Sequence, residues 1–231
     1  MIIAIDGPAG AGKSTVCKIL AQKLCFLYLD TGAMYRAAAW ALIEETGGLP
    51  EGATSLPLSR IPLFFRIADN RLEISYREKV LADELRNPEI SDAASRISQL
   101  QPVRTFLVSW QRKLGRQGNI VAEGRDTATV VFPDAELKVF LTADLPTRID
   151  RRLAEYREKG INTTFQEMEK RIRERDEADA TRDLSPMRPA PGALIVDTSL
   201  LSIPEVVDQL IDVAGSRMKA DCTINHTDLH C

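Results

Sequence analysis

Five short apolar runs rich in β-branched residues recur along the chain, and helical patterns lie between most of them. Gly, Pro or Asp bounds each run. Near-continuous apolar strands that alternate with helices are typical of a parallel sheet covered on both faces. The pattern therefore predicts an α/β fold with a doubly wound, five-stranded parallel sheet, in which ligands bind at the carboxyl ends of the strands. The predicted strands are residues 2–6, 26–30, 120–123, 137–142 and 194–197.

The segment 57–85 breaks this rhythm and predicts a small antiparallel β insert. Residues 64–67 and 72–75 are two strand-like runs, and Asp69-Asn70 between them is a tight-turn pair typical of a hairpin. Further along, residues 159–162 interrupt two charged helices, which are predicted at 146–158 and 165–179. A short loop between two such helices is a candidate flexible lid.

The composition limits the kinds of ligand that the protein can bind. The chain has 231 residues, of which 44% are hydrophobic, enough for one core with a small inserted subdomain. Its net charge of −3 argues against a protein that binds duplex nucleic acid through a broad basic face. An anionic ligand must then be held by local clusters of arginine. The sequence has two such clusters, Arg171, Arg173, Arg175 and Arg182, and Arg148, Arg151 and Arg152.

The sequence also predicts the location of the protein and the part of it that lacks order. No apolar stretch is long enough to span a bilayer, and residues 1–6 predict a strand that enters a loop directly, unlike a signal peptide. We therefore expect a soluble, cytoplasmic protein. The four cysteines are too sparse for a disulfide framework, and Cys17 and Cys25 are predicted to be small core residues. After Arg217 the sequence turns polar and aperiodic, which predicts a poorly ordered tail at 218–231.

The clearest motif is a phosphate-binding loop. Residues 7–14 match G-x-x-x-x-G-K-[ST] at every position and lie between the first strand and a helical pattern at 15–24. Its glycines allow positive φ angles, so that backbone N–H groups approach phosphates at a helix N-terminus. Lys13 can then reach the β- and γ-phosphates, while the Ser14 hydroxyl can bind Mg²⁺. The predicted ATP-binding residues are Gly7, Pro8, Ala9, Gly10, Ala11, Gly12, Lys13, Ser14 and Thr15.

The alternative for this motif is the glycine-rich turn of a dinucleotide-binding fold. The complete eight-position match, in its strand-to-helix context, argues against that alternative. The loop alone does not distinguish a kinase from a GTPase switch or a motor, so other residues must decide.

Two further strand ends carry polar residues that could bind a second ligand. Thr31 and Arg36 follow the second predicted strand, and Arg125 and Asp126 follow the third. Taken singly, such residues also occur as helix caps and surface ion pairs. Because the carboxyl ends of parallel strands meet at one edge of a sheet, both segments are expected to lie near the phosphate loop.

A third polar group lies on the second charged helix. Arg175, Asp179 and Arg182 are spaced i, i+4 and i+7, so they share one face if the helix extends that far; a solvated ladder of salt bridges is the alternative. Arginines that converge from three elements suit phosphoryl transfer, whose catalysis is mainly positioning and charge neutralisation. The guanidinium fork also binds phosphate at two points. The sequence lacks an Asn-Lys-x-Asp guanine motif, which argues against a GTPase switch.

Four stretches together closely resemble the bacterial cytidylate kinase family, namely residues 5–15, 29–36, 123–126 and 130–135. The last three separate this family from other P-loop kinases, and the resemblance extends over residues 1–217. It implies phosphoryl transfer from ATP, with Mg²⁺, to CMP or dCMP. It also implies a core domain (1–30, 96–150 and 165–217), a monophosphate-binding domain with the β insert (31–95), and a lid (151–164).

The resemblance also implies roles for individual residues. Lys13, Arg125 and Arg182 would be catalytic. The substrate-binding set would comprise Thr31, then Arg36, Arg125 and Arg182 for the acceptor phosphate, Ser95, Arg104 and Asp126 for cytosine, and Arg175 and Asp179 for the sugar. A carboxylate at position 126 can accept from the exocyclic amine of cytosine, whereas uracil presents a carbonyl there. UMP is therefore expected to be the poorer substrate.

The sequence departs from the family pattern at several positions. Ala128 stands where glycine is usual, and Ala178 and Ala180 replace arginines that are common in the late helix. An acidic residue that would complete the Mg²⁺ shell is not evident, so Ser14 is the assigned protein ligand and water is expected to fill much of the shell.

Two other functions stay open on the residues alone. A related P-loop kinase could act on UMP, AMP or a small hydroxylated metabolite, and a nucleotide sensor could bind ATP and signal to a partner. A sensor needs no arginines near the γ-phosphate. In the tail, soft ligands make a zinc site conceivable, but their spacing fits no usual zinc pattern and a disordered terminus is favoured. These ligands are Cys222, His226, His230 and Cys231. We expect the protein to be a monomer.

Overall fold

A computed structural model describes residues 1–49 and 58–227. Within these residues the strands are β1 (Ile2–Asp6), β2 (Leu27–Asp30), β3 (Leu63–Ala68), β4 (Arg71–Tyr76), β5 (Lys79–Val80), β6 (Ile120–Gly124), β7 (Leu137–Thr142) and β8 (Leu194–Asp197). The helices are α1 (Lys13–Leu24), α2 (Thr31–Thr46), α3 (Pro88–Ile97), α4 (Gln101–Gly115), α5 (Leu145–Glu158), α6 (Phe165–Thr181) and α7 (Ile203–Thr227). A π-helical turn at Thr127–Val131 follows β6.

The sheet confirms the predicted α/β fold. The strand order is β3-β4-β2-β6-β1-β7-β8, and the five strands from β2 to β8 in this order run parallel. β1 lies at the centre, where Ile3, Ala4 and Ile5 are fully buried, as expected for a strand covered on both faces. At its carboxyl end Asp6 is opposite Gly124 of β6. The phosphate loop and the charged segment after β6 therefore leave the sheet side by side.

Helices cover both faces of the parallel sheet, which makes it doubly wound as predicted. On one face, Leu20 of α1 and Leu210 of α7 belong to the same apolar cluster as Ile3 and Ile5. On the other face, side chains of α2 and α4 pack with Ala4. Successive residues of β1 thus face two different cores, which explains why the strand is apolar throughout.

The predicted hairpin forms, and it extends the main sheet. β3 and β4 pair antiparallel around Asp69 and Asn70, whose φ angles of 49° and 59° are those of a type I′ turn. β4 then pairs in parallel with β2 through Tyr28 and Arg71. The insert therefore continues the sheet past β2.

The two predicted charged helices also form, as α5 and α6. They pack through Leu153, Tyr156, Met168 and Ile172, and residues 159–164 join them. The hydroxyl of Thr164 accepts from the backbone N–H of Glu167, whose carboxylate accepts from the N–H of Thr164, so a capping box starts α6. The lid movement and the division into domains stay predictions.

Two details differ from the sequence-based expectations. The helix α6 ends at Thr181, so it stops short of Arg182. Cys25 is exposed, because it ends α1 in a left-handed conformation with a φ of 55°, whereas Cys17 is buried as predicted. Helix α7 is described through Thr227, and the poorly ordered tail at 218–231 stays a prediction.

The candidate soft ligands of the tail give no metal site in the described part of the chain. His230 and Cys231 lie outside the described residues, and the described ones contain no cluster of three or more His, Cys, Asp or Glu that could hold a metal ion. Among the same residues, no helix combines the length and hydrophobicity that a bilayer span requires.

Candidate active site

The phosphate loop has the backbone conformation that its glycines predict. Gly7, Gly10 and Gly12 have φ angles of 147°, 77° and 84°. Space is as restrictive as conformation, because a Cβ on Gly7 would lie 2.0 Å from the carbonyl oxygen of Leu141. A Cβ on Gly10 would lie 2.8 Å from the carbonyl oxygen of Arg148. The loop is therefore wedged between β7 and α5 with no room for side chains at these points.

Four consecutive carbonyl groups of the loop accept hydrogen bonds from side chains. The carbonyl of Pro8 accepts from Lys13 Nζ at 2.7 Å, and that of Ala9 from Arg148 Nη1 at 3.3 Å. The next two accept from Arg151 Nη1 at 3.5 Å and from Thr198 Oγ1 at 3.2 Å. These bonds fix the loop at the start of α1, where backbone N–H groups are expected to bind a phosphate.

The cluster Arg148, Arg151 and Arg152 was predicted to catch an anion, and the structure gives it other contacts. Arg148 and Arg151 brace the phosphate loop from behind, and Arg151 Nη2 also donates to the carbonyl of Thr198 at 2.6 Å. Arg148 forms an ion pair with Asp176 of α6. Arg152 pairs with Glu155 near the surface. The sequence could not show this, because the contacts depend on α5 packing against the loop.

Glu123 at the end of β6 is a site residue that sequence inspection passed over. It is buried, and its Oε2 accepts from Ser14 Oγ at 2.9 Å while its Oε1 accepts from the hydroxyl of Tyr28. Burial and the nearby carboxylate of Asp30 raise the pKa of Glu123. Burial likewise raises the pKa of Tyr28, so the phenol stays a donor. In the sequence, the available signal was an acidic residue directly after the apolar residues 120–122 of the strand.

Lys13 is buried beside these groups. Burial and the neighbouring guanidinium of Arg125 lower its pKa to about 7, and Arg175 acts in the same direction. Two arginines that were predicted to bind an acceptor therefore lie close enough to the phosphate loop to influence its lysine.

Asp6 fixes the turn after β6. It is buried, and its carboxylate accepts from the backbone N–H groups of Thr127 and Ala128 at 2.8 Å each, and from the Thr127 hydroxyl at 2.6 Å. Ala128 thus fits the turn where the family usually has glycine. Gly124 is required for space, since a Cβ there would lie 2.6 Å from the hydroxyl oxygen of Thr31.

Four arginines and two aspartates form a single network beside the loop. Asp126 pairs with Arg104 and lies 3.3 Å from Arg182 Nη2. Asp179 Oδ2 lies 2.9 Å from Arg125 Nε and 4.0 Å from Arg175 Nε. Arg182 also lies 4.0 Å from Asp179, and so it links the two aspartates. The structure thus brings together residues of α4, α6 and the segment after β6 that the sequence proposed separately.

The electrostatics of this network favour an anionic ligand. Four guanidinium groups face two carboxylates, which leaves an excess of two positive charges. Burial lowers the pKa of Arg175 to about 10. Nε of Arg175 and Nη2 of Arg182 are buried and make no hydrogen bond among the described residues, although each lies within 4.0 Å of a carboxylate oxygen of the network. Buried donors of this kind are normally satisfied, so they indicate the place of a ligand acceptor.

The other predicted acceptor residues take different positions. Arg36 Nη2 pairs with Asp30 at 3.0 Å, and Gly32 leaves room for this pair because a Cβ there would lie 3.1 Å from Arg36 Nη1. Thr31 is buried and donates its hydroxyl to the carbonyl of Glu123 at 2.6 Å. Ser95 is half-buried on α3, and its carbonyl accepts from the Ser98 hydroxyl.

A cavity of about 160 Å³ lies on the opposite side of the phosphate loop. Apolar side chains from the loop before α7 and from α7 itself line much of it, together with the start of α1 and Arg151. Sequence inspection missed this cavity, because its lining comes from segments far apart in the chain. The lining residues are Gly10, Ala11, Gly12, Thr15, Val16, Arg151, Glu155, Thr198, Leu201, Ile203 and Val206.

Comparison with known proteins gives consistent results. The family model described as Cytidylate kinase matches residues 3–216. The cytidylate kinase of Carboxydothermus hydrogenoformans is 44% identical over 218 residues, covering 94% of this chain and 98% of that protein. The bifunctional pantoate ligase/cytidylate kinase of Prochlorococcus marinus is 42% identical over 226 residues, covering 96% of this chain and 44% of that protein.

Among solved structures, an uncharacterized protein from Eubacterium ventriosum has the same fold, with a TM-score of 0.53 and 12% identity over 94% of this chain and 99% of that one. The structural similarity supports the fold alone. The sequence matches extend over nearly the whole chain at well above 30% identity. The chain therefore belongs to the cytidylate kinase family.

Proposed function

We propose that the protein transfers the γ-phosphoryl group of ATP to CMP or dCMP, giving ADP and CDP or dCDP. The observation that carries this proposal is the network of Arg104, Arg125, Arg175 and Arg182 around the buried Asp126 and Asp179, next to the phosphate loop. A nucleoside monophosphate has a dianionic phosphate and a base with its own donors and acceptors. The network offers an excess of positive charge to the phosphate and a carboxylate to the base.

On the donor side, the phosphate loop would hold the triphosphate of ATP through its N–H groups. The ammonium of Lys13, which now donates to the carbonyl of Pro8, would turn to the β- and γ-phosphates. The cavity behind the loop suits the adenine ring, because its lining is largely apolar and the planar guanidinium of Arg151 can stack on a base.

The residues at the loop fit a bound Mg²⁺ ion. The hydroxyl of Ser14 donates a hydrogen bond to Glu123, so its oxygen lone pairs can bind a cation. Mg²⁺ prefers few protein ligands and keeps several waters, which agrees with the lack of a multi-carboxylate cage among the described residues. When bound with ATP, the ion would neutralise charge on the β- and γ-phosphates.

On the acceptor side, Arg36, Arg125 and Arg182 would bind the CMP phosphate. Arg125 would have the central role, because it follows β6 directly beside the phosphate loop and its charge lowers the pKa of Lys13. In this position it would contact the acceptor phosphate and the group in transfer. Lys13, Arg125 and Arg182 would stabilise the charge that spreads over the phosphoryl oxygens, and these residues would be catalytic in that sense.

The base and sugar would lie further along the network. Asp126 would accept from the exocyclic amine of cytosine, with Arg104 and Ser95 as donors to the ring carbonyl and nitrogen. Arg104 holds Asp126 in place through their buried ion pair. Arg175 and Asp179 would contact the ribose. Thr31 would position the turn after β6, between the phosphates of ATP and CMP, through its hydrogen bond to the carbonyl of Glu123.

Two alternatives are weighed against this proposal. A P-loop sensor would not need arginines at the γ-phosphate. Arg125 and Arg175 lower the pKa of Lys13, which supports a position of both arginines near the γ-phosphate site. A kinase for UMP would not need a buried carboxylate like Asp126 in contact with the base, because uracil presents a carbonyl where cytosine has an amine. Adenine also has an exocyclic amine, so AMP is distinguished by the assay below. We also propose that the protein acts as a monomer in the cytoplasm, which gel filtration and cell fractionation test.

A coupled ADP-release assay tests the function. Purified protein with ATP and Mg²⁺ is given CMP, dCMP, UMP or AMP, and the variants Lys13→Ala and Asp126→Ala are compared. The proposal expects turnover led by CMP or dCMP, lost in Lys13→Ala and shifted toward UMP in Asp126→Ala. ATP binding without transfer to any of these nucleotides would overturn it.

A further inference from the structure

Tyr28 is a half-buried polar residue for which the roles above give no function. It lies on β2, and its hydroxyl donates to Oε1 of Glu123. Tyr28 and Asp30 point to the same face of the strand, which α1 covers, and Asp30 is opposite Glu123 in the register of β2 and β6. The phenol therefore lies near the carboxyl ends of β2 and β6, and its hydroxyl contacts the carboxylate of Glu123 beside the phosphate loop.

The carboxylate of Glu123 has a separate donor for each oxygen. Ser14 Oγ donates to Oε2 at 2.9 Å, and Tyr28 donates to Oε1. The direction of the Ser14 hydroxyl matters. When its O–H group points to Glu123, its oxygen lone pairs face away from Glu123 and can bind a cation. Partners behind a metal-binding group orient it in this way in many proteins.

Without the phenol hydroxyl, Oε1 of Glu123 would be a buried carboxylate oxygen short of a donor. Burial raises the pKa of Glu123, and the ammonium of Lys13 acts on Glu123 against that rise. A carboxylate that is free to rotate would lose its alignment with Ser14 and would compete with phosphate for Lys13. One hydroxyl on β2 would thus affect two groups of the phosphate loop.

We propose that Tyr28 is a positioning residue, which holds Glu123 so that the Ser14 hydroxyl is oriented for Mg²⁺. The proposal rests on the proposed function in one respect, that Mg²⁺ binds with the donor nucleotide at this loop. Tyr28 itself touches neither the nucleotide nor the metal.

The test is the Mg²⁺ dependence of nucleotide binding, measured by calorimetry with the β,γ-imido analogue of ATP. Tyr28→Phe keeps the ring and removes the hydroxyl. We expect the gain in affinity on adding Mg²⁺, taken relative to the metal-free affinity of the same variant, to fall about 10-fold. Glu123→Gln should cause a similar loss, and adding Tyr28→Phe to it should cause no further loss, because the phenol acts through the carboxylate.

Tyr76→Phe is the matched control. The hydroxyl of Tyr76 donates to Oε1 of Glu45 in the β insert, so this change also removes a tyrosine–carboxylate bond, but away from the loop. It should leave the Mg²⁺ dependence at the wild-type value. Thermal melting without ligands checks that each variant is folded, and Glu123→Gln tests the same chain of contacts if Tyr28→Phe does not fold.

The outcomes separate the two proposals. If the wild type gains affinity with Mg²⁺ and Tyr28→Phe gains as much, or if the two changes add fully in the double variant, the role of Tyr28 is wrong. If the wild type binds the analogue with no gain from Mg²⁺, or transfers no phosphoryl group, the proposed function itself fails.

Discussion

Arg182 lies just past the end of α6, yet its Nη2 atom is 3.3 Å from Oδ1 of Asp126, the residue that follows Arg125 after β6. Asp126 also pairs with the buried Arg104 of α4. One carboxylate therefore joins the end of α6, α4 and the end of β6, and two arginines fix its orientation.

This contact makes Asp126→Asn a test of base selection. The asparagine amide can donate to the carbonyl of uracil, where the carboxylate leaves a repulsive contact. We expect the ratio of kcat/KM for CMP to that for UMP to fall about 10- to 100-fold, the effect of one unsatisfied buried group. The ADP-release assay measures the ratio, and an ATP-analogue titration serves as the control because the donor site is untouched. An unchanged ratio would remove Asp126 from base recognition.

Arg125→Lys tests the phosphate contact. Lysine keeps the positive charge but loses the planar fork and its hydrogen bond to Asp179 at 2.9 Å. We expect kcat/KM for CMP to fall about 100- to 1,000-fold, as when one donor to a developing charge is lost, with little change in ATP affinity. Arg173→Lys, which alters an exposed arginine paired with Glu169 on α6, is the matched control. Equal kinetics of the two variants would contradict the catalytic role of Arg125.

Gly10→Ala tests the fit of the phosphate loop. The new Cβ would meet the backbone of Arg148 at 2.8 Å in a residue with a φ of 77°, so both space and conformation oppose it. Gly192→Ala separates these effects, because Gly192 has a φ of 71° but no described atom within 4 Å of its would-be Cβ. We expect ATP binding to be lost in the first variant. The second should keep it and lose about 1 kcal/mol of stability; similar ATP affinities in both would show that the clash at Gly10 is relieved.

Asp179→Asn tests the charge network through pH. Burial raises the pKa of Asp179, but Arg125, Arg175 and Arg182 outweigh this and hold it below its ordinary value of 3.8. A lowered folded-state pKa stabilises the protein above pH 3.8, and that stabilisation is lost as the pH falls through the folded-state pKa. The wild type should thus exceed the variant by about 3 kcal/mol at pH 7, as for a broken buried ion pair, and the gap should shrink below pH 3.8. Melting curves between pH 7 and 3 measure it; a constant gap would show that the charge of Asp179 is not the cause.

The sequence predicted those parts of the fold that depend on local pattern. The apolar strands, the glycines at 7, 10 and 12 with positive φ, and the turn at Asp69-Asn70 each follow from a periodicity or a backbone requirement that a few neighbouring residues determine. The parallel sheet followed because the helices lie between the strands.

The parts that the sequence did not predict depend on side chains that are distant in the chain. Arg148 and Arg151 looked like anion ligands, and only the packing of α5 shows that they brace the phosphate loop. The link from Tyr28 through Glu123 to Ser14 joins three elements. Arg182 joined the site although α6 ends before it. Its own backbone leaves the helical conformation, with φ −59° and ψ 138°, and its side chain reaches Asp126.

The bracing of the loop by Arg151 has a practical consequence for anyone who wishes to modify the lid. Because Arg151 is bound to Thr198 at 2.9 Å, the first turns of α5 are anchored to the core, and a hinge is expected only beyond them. Gly160, at the far end, has no described atom within 4 Å of a would-be Cβ, but its φ of 69° disfavours any other residue. A cysteine for a spectroscopic label is better placed at the exposed Asn162 of the same loop, where it would report lid motion while leaving the first turns of α5 intact.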